Sequence, residues 1–183
     1  MFKKLAISLI VIGLLLSAGL ASAARQDTKS QAALSKQDSQ FVTRAAMDNM
    51  AEVELGQLAV ERASNTEVKE FGQLMVDDHT KALNDIKGLA TQKNVTVPTA
   101  LDQKHQATKD RLSKLSGAEF DKAFMYQMVK DHEAAVKLFE RQSNQGKDQA
   151  LKEWAINTLP TLKNHLQMAR DISAKLTATK KVR

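Results

Sequence analysis

Apolar positions recur along most of this chain at alternating steps of three and four, the period of helices that bury one face. The stripe Phe41, Ala45, Glu52, Leu55 and Ala59 predicts a helix from near Ser39 to about Ala63, with a carboxylate set in an otherwise small, apolar face. Ser64 and Glu67 stand at capping-box spacing, so a second helix follows after a very short turn and the pair must form an antiparallel hairpin. This second helix is predicted from about Thr66 to Gln92, with Val68, Phe71, Met75, His79, Ala82, Ile86 and Leu89 inward; Asn94 and the Val97-Pro98 pair stop it. Between Thr99 and about Leu115 a thinner stripe of Leu101, His105, Thr108, Leu112 and Leu115 predicts a short helix capped by Thr99 or Asp102. Its other faces are heavily charged, which suits a crossover with His105 partly exposed. A capping box at Ser116 and Glu119 opens a long helix to about Asn144, ended by Gly146, with Phe120, Phe124, Met128, His132, Ala135 and Phe139 inward. The last helix, from about Asp148 to Leu176, buries Leu151, Ala155, Thr158, Leu162, His165, Ala169, Ile172 and Leu176, and Pro160 is expected to kink or restart it.

Four long helices of similar length, each about 36 to 45 Å, predict an all-α fold built as an antiparallel four-helix bundle. The segment from Thr99 to Leu115 spans about 25 Å if helical. That length returns the chain to the end where the second helix began, making the second and third long helices parallel, as in a ferritin-like bundle with a short crossover helix. A plain up-down-up-down bundle is the rival topology.

A nine-residue pattern repeats within this frame. Phe71, Met75, Val76, Asp78 and His79 return in the same register as Phe124, Met128, Val129, Asp131 and His132. Phe, Met and His fall at i, i+4 and i+8, so each copy forms one stripe with the Asp beside the His. Glu52, His79, His132 and His165 each lie near the middle of a different long helix and on its inward stripe, so four polar groups converge at one level.

Buried imidazoles and carboxylates need partners, since an unsatisfied buried polar group costs about 1–3 kcal/mol. Two readings follow. One is a structural hydrogen-bonded layer, with Glu52 bonded to a histidine, Asp78 and Asp131 fixing neighbouring ring nitrogens, and Thr158 closing the network. The other is a metal site of His79, His132 and His165 with Glu52, supported by Asp78 and Asp131. Met75 and Met128 lie one turn from core histidines, and thioether with imidazole is a ligand set for copper, especially Cu(I); methionine is also common core filler. Iron is less favoured. The residues three before the histidines are Val76, Val129 and Leu162, whereas di-iron bundles carry Glu-x-x-His.

Composition narrows the context. Lys3 and Lys4, an apolar run from Leu5 to about Leu16 and the site Ala21-Ser22-Ala23 read as a secretory signal peptide over residues 1–23. Residues 24–38 then form a polar leader, 39–178 the bundle, and 179–183 a basic tail. Without cysteine the domain has neither disulfides nor thiolate chemistry, and removal of Lys3 and Lys4 lowers the formal charge from +6 to +4. The positive charges alternate with acids, so a nucleic-acid partner has no support. The processed chain has no segment apolar enough to span a bilayer. No Gly-rich phosphate loop or activated nucleophile occurs.

Phe41-Val42-Thr43-Arg44-Ala45-Ala46, Ala51-Glu52-Val53-Glu54-Leu55-Gly56, Met75-Val76-Asp77-Asp78-His79, and Leu159-Pro160-Thr161-Leu162 followed by His165 together resemble the DUF4142 family. The resemblance spans about Gln40 to Leu176 and implies an exported, periplasmic or envelope protein with a ferritin-like bundle; it supplies no reaction. A more distant similarity is to DUF305 proteins, which repeat a Met-and-His helical motif and include copper binders. Their motif has adjacent histidines, where this chain has Asp78-His79 and Asp131-His132. Three functions therefore compete: a periplasmic copper-binding protein, an envelope stress or interaction module with a structural polar layer, and an iron-dependent oxidase.

Overall fold

In a computed structural model that describes residues 33–178, five helices and no strands form among the described residues. They are α1 (Lys36–Arg62), α2 (Thr66–Gln92), α3 (Gln103–Ser113), α4 (Gly117–Gln145) and α5 (Gln149–Ala178). The expected signal peptide, most of the leader and the basic tail lie outside the described residues. No described helix is long and apolar enough to cross a membrane.

Contacts at the two ends set the topology. At one end the Asp121 carboxylate, near the start of α4, accepts bonds from the Ser64 and Asn65 amides and from the Ser64 hydroxyl in the α1–α2 turn. Lys175 near the end of α5 pairs with Glu67 at the start of α2 at 2.9 Å. At the other end Asp38 of α1 accepts from the Lys147 and Asp148 amides in the α4–α5 turn, and Lys93 after α2 pairs with Asp148 at 2.6 Å. Helices α2 and α4 therefore run in the same direction, while the packed pairs α1–α2, α4–α5, α1–α4 and α2–α5 are antiparallel. This is the ferritin-like arrangement rather than up-down-up-down, and α3 crosses over the α1–α4 side.

Several local expectations change. Helix α1 begins at Lys36, ahead of Ser39, because Ser35 caps it through the Asp38 amide and Asp38 is itself buried. Residues 36–38, assigned to the leader, thus belong to the helix. Burial pushes the Asp38 carboxyl up, but hydrogen bonds from Ser35, Gln142 and two backbone amides outweigh it and hold the group below its ordinary value. The N-cap of α2 is Asn65, not Ser64, whose hydroxyl is taken by Asp121. Ser116 makes no side-chain cap; the following Gly117 turns the chain at φ +59°. Asp102 does cap α3, through the His105 amide.

Pro160 neither ends nor restarts α5, which continues to Ala178. It lies on the exposed face, as does Ile156 one turn before, where the carbonyl deprived of its amide partner can be met by water.

Two apolar clusters fill the bundle. Phe71, Phe120, Phe124, Met75, Met125 and Met128 lie toward the α1–α2 turn; Phe41, Ile86, Phe139, Leu151 and Leu162 lie toward the α4–α5 turn. Helices α1 and α2 approach closely at Gly56 and Gly72, where a Cβ on Gly56 would stand 2.6 Å from the Gly72 carbonyl oxygen. Between the clusters lies a buried polar layer.

Candidate metal centre

His79 of α2, His132 of α4 and His165 of α5 form a nearly equilateral triangle in this layer. Their ring centroids are 5.5, 5.5 and 5.4 Å apart, and one ring nitrogen from each lies within 4.8 Å of the other two. Phe71, from the first copy of the repeat, sets its ring edgewise to His132 and His165, 6.4 Å from each. The Phe-to-His spacing thus places an aromatic ring against the imidazoles, on the boundary of the apolar cluster.

One nitrogen of each ring is fixed by a different partner. His79 Nδ1 lies 2.8 Å from Asn49 Oδ1, and the Asn49 amide nitrogen donates to the Ala45 carbonyl at 2.7 Å, so Oδ1 faces the histidine and accepts its proton. His132 Nδ1 donates to the Met128 carbonyl at 2.9 Å, since a carbonyl can only accept. His165 Nε2 donates to Asp78 Oδ2 at 2.9 Å. The remaining nitrogens, His79 Nε2, His132 Nε2 and His165 Nδ1, carry lone pairs, are buried and have no hydrogen-bond partner.

Electrostatics keep the rings neutral. Burial, then repulsion from His165, pushes His132 down to about 4 against a weaker upward effect of the Met128 carbonyl. Burial and the two neighbouring imidazoles push His79 well down. His165 is also lowered by burial, with Asp78 opposing. Burial and the negative charges of Asp131 and Asp48 push Glu52 well up, which favours a neutral carboxyl beside the triad.

The other expected site residues divide. Glu52 is in the layer, but its Oε1 lies 3.9 Å from His132 Nδ1, beyond hydrogen-bond range and on the nitrogen already committed to Met128. Asp78 does fix a ring nitrogen, on His165 rather than on its sequence neighbour His79. Asp131 binds no histidine; it accepts from Gln127 Nε2 at 2.8 Å. Met75 and Met128 are fully buried in the apolar cluster and do not border the cavity that the imidazoles line. The Thr158 hydroxyl donates to the Trp154 carbonyl and closes no network with the histidines. His105, expected to be partly exposed, is 9% exposed and held between Asp102 at 2.7 Å and Asp48 at 3.3 Å. Asn49 was missed, although its place on the α1 stripe between Ala45 and Glu52 is a signal of inward polarity.

The triad borders a cavity of about 440 Å³ lined by residues of all five helices, with acidic Asp48, Glu52, Asp78, Asp85 and Asp131 and basic Arg44, Lys81, Lys104 and Lys130 among them. Three neutral imidazoles with unshared lone pairs, two of them oriented by side-chain oxygens, have the chemistry of a metal-ligand set.

Residues 23–172 match the model of DUF4142, a domain of unknown function. The chain belongs to the DUF4142 family. Its fold is similar to that of a DUF305 fragment from Deinococcus radiodurans, at 13% identity and a TM-score of 0.69 over 78% of this chain and 99% of that one. A DUF305 protein from Streptomyces coelicolor is similar at 13% identity and a TM-score of 0.67, covering 77% of this chain and 92% of that one. CopM in its Cu(II)-bound form is similar at 16% identity and a TM-score of 0.65, covering 75% and 96%. At these identities the DUF4142 chain shares a fold with them. No curated protein matches it in sequence.

Proposed function

We propose that this DUF4142 protein is a periplasmic copper-binding protein, rather than an enzyme, in which His79, His132 and His165 hold one ion as Cu(I). The observation that carries the proposal is the set of three buried ring nitrogens without hydrogen-bond partners, one from each of three helices. Ligation at about 2.0 Å in a trigonal arrangement needs nitrogens roughly 3.5 Å apart, and each ring offers a nitrogen within 4.8 Å of the other two. Imidazole suits several metals, and charge favours the monovalent one. The ring of donors is neutral and Glu52 is pushed toward its neutral form, so a single positive charge is the cheaper one to bury. The fold shared with CopM, which was solved with Cu(II), Cu(I) and silver bound, supports the same direction. The signal-peptide pattern of residues 1–23 supports a periplasmic location.

An iron-dependent oxidase has less support: of the carboxylates bordering the triad, Asp78 is engaged by His165 and Glu52 is held toward neutrality. Titration of the processed protein with Cu(I) against a competing chelator is the test. One ion per chain is expected, lost in His79→Ala and His132→Ala and retained in Met75→Leu and Met128→Leu. Absence of stoichiometric binding, or binding indifferent to the histidine substitutions, would leave a structural polar layer as the better reading.

A further inference from the structure

The cavity beside the triad is much larger than an ion requires. It holds about 440 Å³, against roughly 30 Å³ for one water in the liquid. From the imidazoles it extends toward the α4–α5 turn: Ala82 lies one turn beyond His79, Phe139 two turns beyond His132, and Leu162 and Trp154 one and three turns before His165. The seven residues from His132 to Phe139 give it a length of roughly 10 Å. Its far wall is apolar, with the Phe139 and Trp154 rings 5.2 Å apart. Exposed Lys81 and Asp85 of α2, Asn157 and Thr161 of α5 and Lys104 of α3 also line it, so it meets solvent chiefly along the α2–α5 face. Acidic and basic groups are mixed around it, and the sign of charge selects no ligand. Size and lining are those of a pocket for a small organic molecule, and selection falls to the buried end.

At that end His79, His132 and His165 are 5%, 1% and 1% exposed, and each has a ring nitrogen with an unengaged lone pair. A group that answers all three must carry three protons on one atom. Water brings two and a hydroxyl one; a primary ammonium brings three and has no lone pair of its own to leave unpaired. The spacing agrees. Acceptors about 2.9 Å from an ammonium nitrogen along its tetrahedral N–H directions lie about 4.7 Å from one another, and here one nitrogen from each ring lies within 4.8 Å of the other two. A primary amine is about four pH units more basic than imidazole, so it keeps its proton and donates while the rings accept.

We propose that the triad and its cavity form a binding site for a small primary amine with an apolar body, the ammonium held by the three imidazole lone pairs and the body lying against Phe139, Leu162 and Trp154. The site goes beyond the metal reading and does not depend on it. The same three nitrogens cannot take an ion and an ammonium together, so the two ligands exclude one another.

The test is titration of 2-phenylethylamine into the metal-free processed protein near neutral pH, by calorimetry and by the fluorescence of Trp154, the only tryptophan and a residue lining the cavity. One amine per chain is expected. The N,N,N-trimethyl analogue keeps the charge and the body but has no N–H, and should bind about tenfold more weakly or worse. His132→Phe keeps a ring without a lone pair and should weaken the primary amine about as much, with its helix content checked by circular dichroism. Ag(I) added to the complex should release one amine for each ion bound. Equal affinity for the two analogues would show that charge and body alone hold the amine, and would overturn the site; that comparison needs no substitution. Failure of the primary amine to bind, or an amine left in place by bound Ag(I), would overturn it as well. Ag(I) uptake without amine binding would sink this inference and leave the metal reading standing, whereas amine binding without uptake of Ag(I) would support it and remove the metal.

Discussion

His165 Nε2 donates to Asp78 Oδ2 at 2.9 Å across the α2–α5 interface, so the residue next to one triad histidine in sequence orients a different one in space. The bond leaves His165 Nδ1 with the lone pair. Removing it in Asp78→Ala frees the ring to rotate and to change tautomer. Loss of an outer partner of this kind typically costs about 10- to 100-fold in metal affinity. That loss is the expected result in Cu(I) competition titrations. The Asp78 side chain is 41% exposed, so unfolding by urea should show only a small change in stability. Unaltered affinity would exclude an orienting role for this bond.

Asn49 provides the corresponding bond to His79, but in a buried setting. Asn49→Ala should leave His79 Nδ1 without an acceptor and cost about 1–3 kcal/mol in the metal-free protein. The ring can recover a bond only by changing tautomer, which places a proton on Nε2 and removes one of the three lone pairs. Reduced stability together with weakened Cu(I) binding is therefore expected, measured by urea unfolding and competition titration. A variant with native affinity would show that the Asn49 bond does not set the tautomer.

The bundle and the height of the histidines could be read from the sequence because both follow from the helical period. His79, His132 and His165 lie on inward stripes near the middle of helices of comparable length, and those features survive folding unchanged. The bonds around the rings could not be read in this way. An Asp one residue before a His projects about 100° away around the helix, so Asp78 reaches the neighbouring helix and Asp131 finds Gln127. The Ser64-to-Glu67 pattern is local, and a carboxylate 57 residues away in sequence took the hydroxyl that was to cap α2. A kink or restart is expected at Pro160 because its missing donor is visible in sequence, whereas the exposure of the carbonyl it fails to meet is not.

The lowered histidines make the stability of the metal-free protein depend on pH in a definite sense. His132 titrates at about 4 when folded against an ordinary value of 6.5, so between these pH values the unfolded chain binds the additional proton. Stability is then fully present above about 6.5 and is lost as pH falls toward 4, on the order of 3 kcal/mol from this residue. His79 and His165 act in the same direction. Glu52 has the opposite sign: its carboxyl is raised in the fold, so its contribution falls as pH rises above its ordinary value of 4.5. Urea unfolding at intervals from pH 7 to 4 should show a decline that is shallower in His132→Gln. In Glu52→Gln stability near neutrality should increase relative to wild type. Equal slopes in wild type and His132→Gln would mean that the ring is not buried in its neutral form.

The α1–α2 contact gives a prediction independent of the polar layer. A Cβ at position 56 would meet the Gly72 carbonyl oxygen at 2.6 Å and Val76 Cγ2 at 3.0 Å, and backbone cannot step aside as a flexible side chain can. Gly56→Ala must therefore push α1 and α2 apart, with an overpacking cost of about 1–3 kcal/mol. Gly88, also in α2, has nothing within 4 Å of its ideal Cβ, so Gly88→Ala should instead gain roughly 0.5–1 kcal/mol from the lower helix cost of alanine. Because α2 carries His79 and Asp78 while α1 carries Asn49 and Glu52, the displacement in Gly56→Ala should reach the triad. Weaker Cu(I) binding in Gly56→Ala but not in Gly88→Ala is the expected pattern. If Gly56→Ala were as stable as wild type and bound equally well, the close approach would not be what sets the two helices in register.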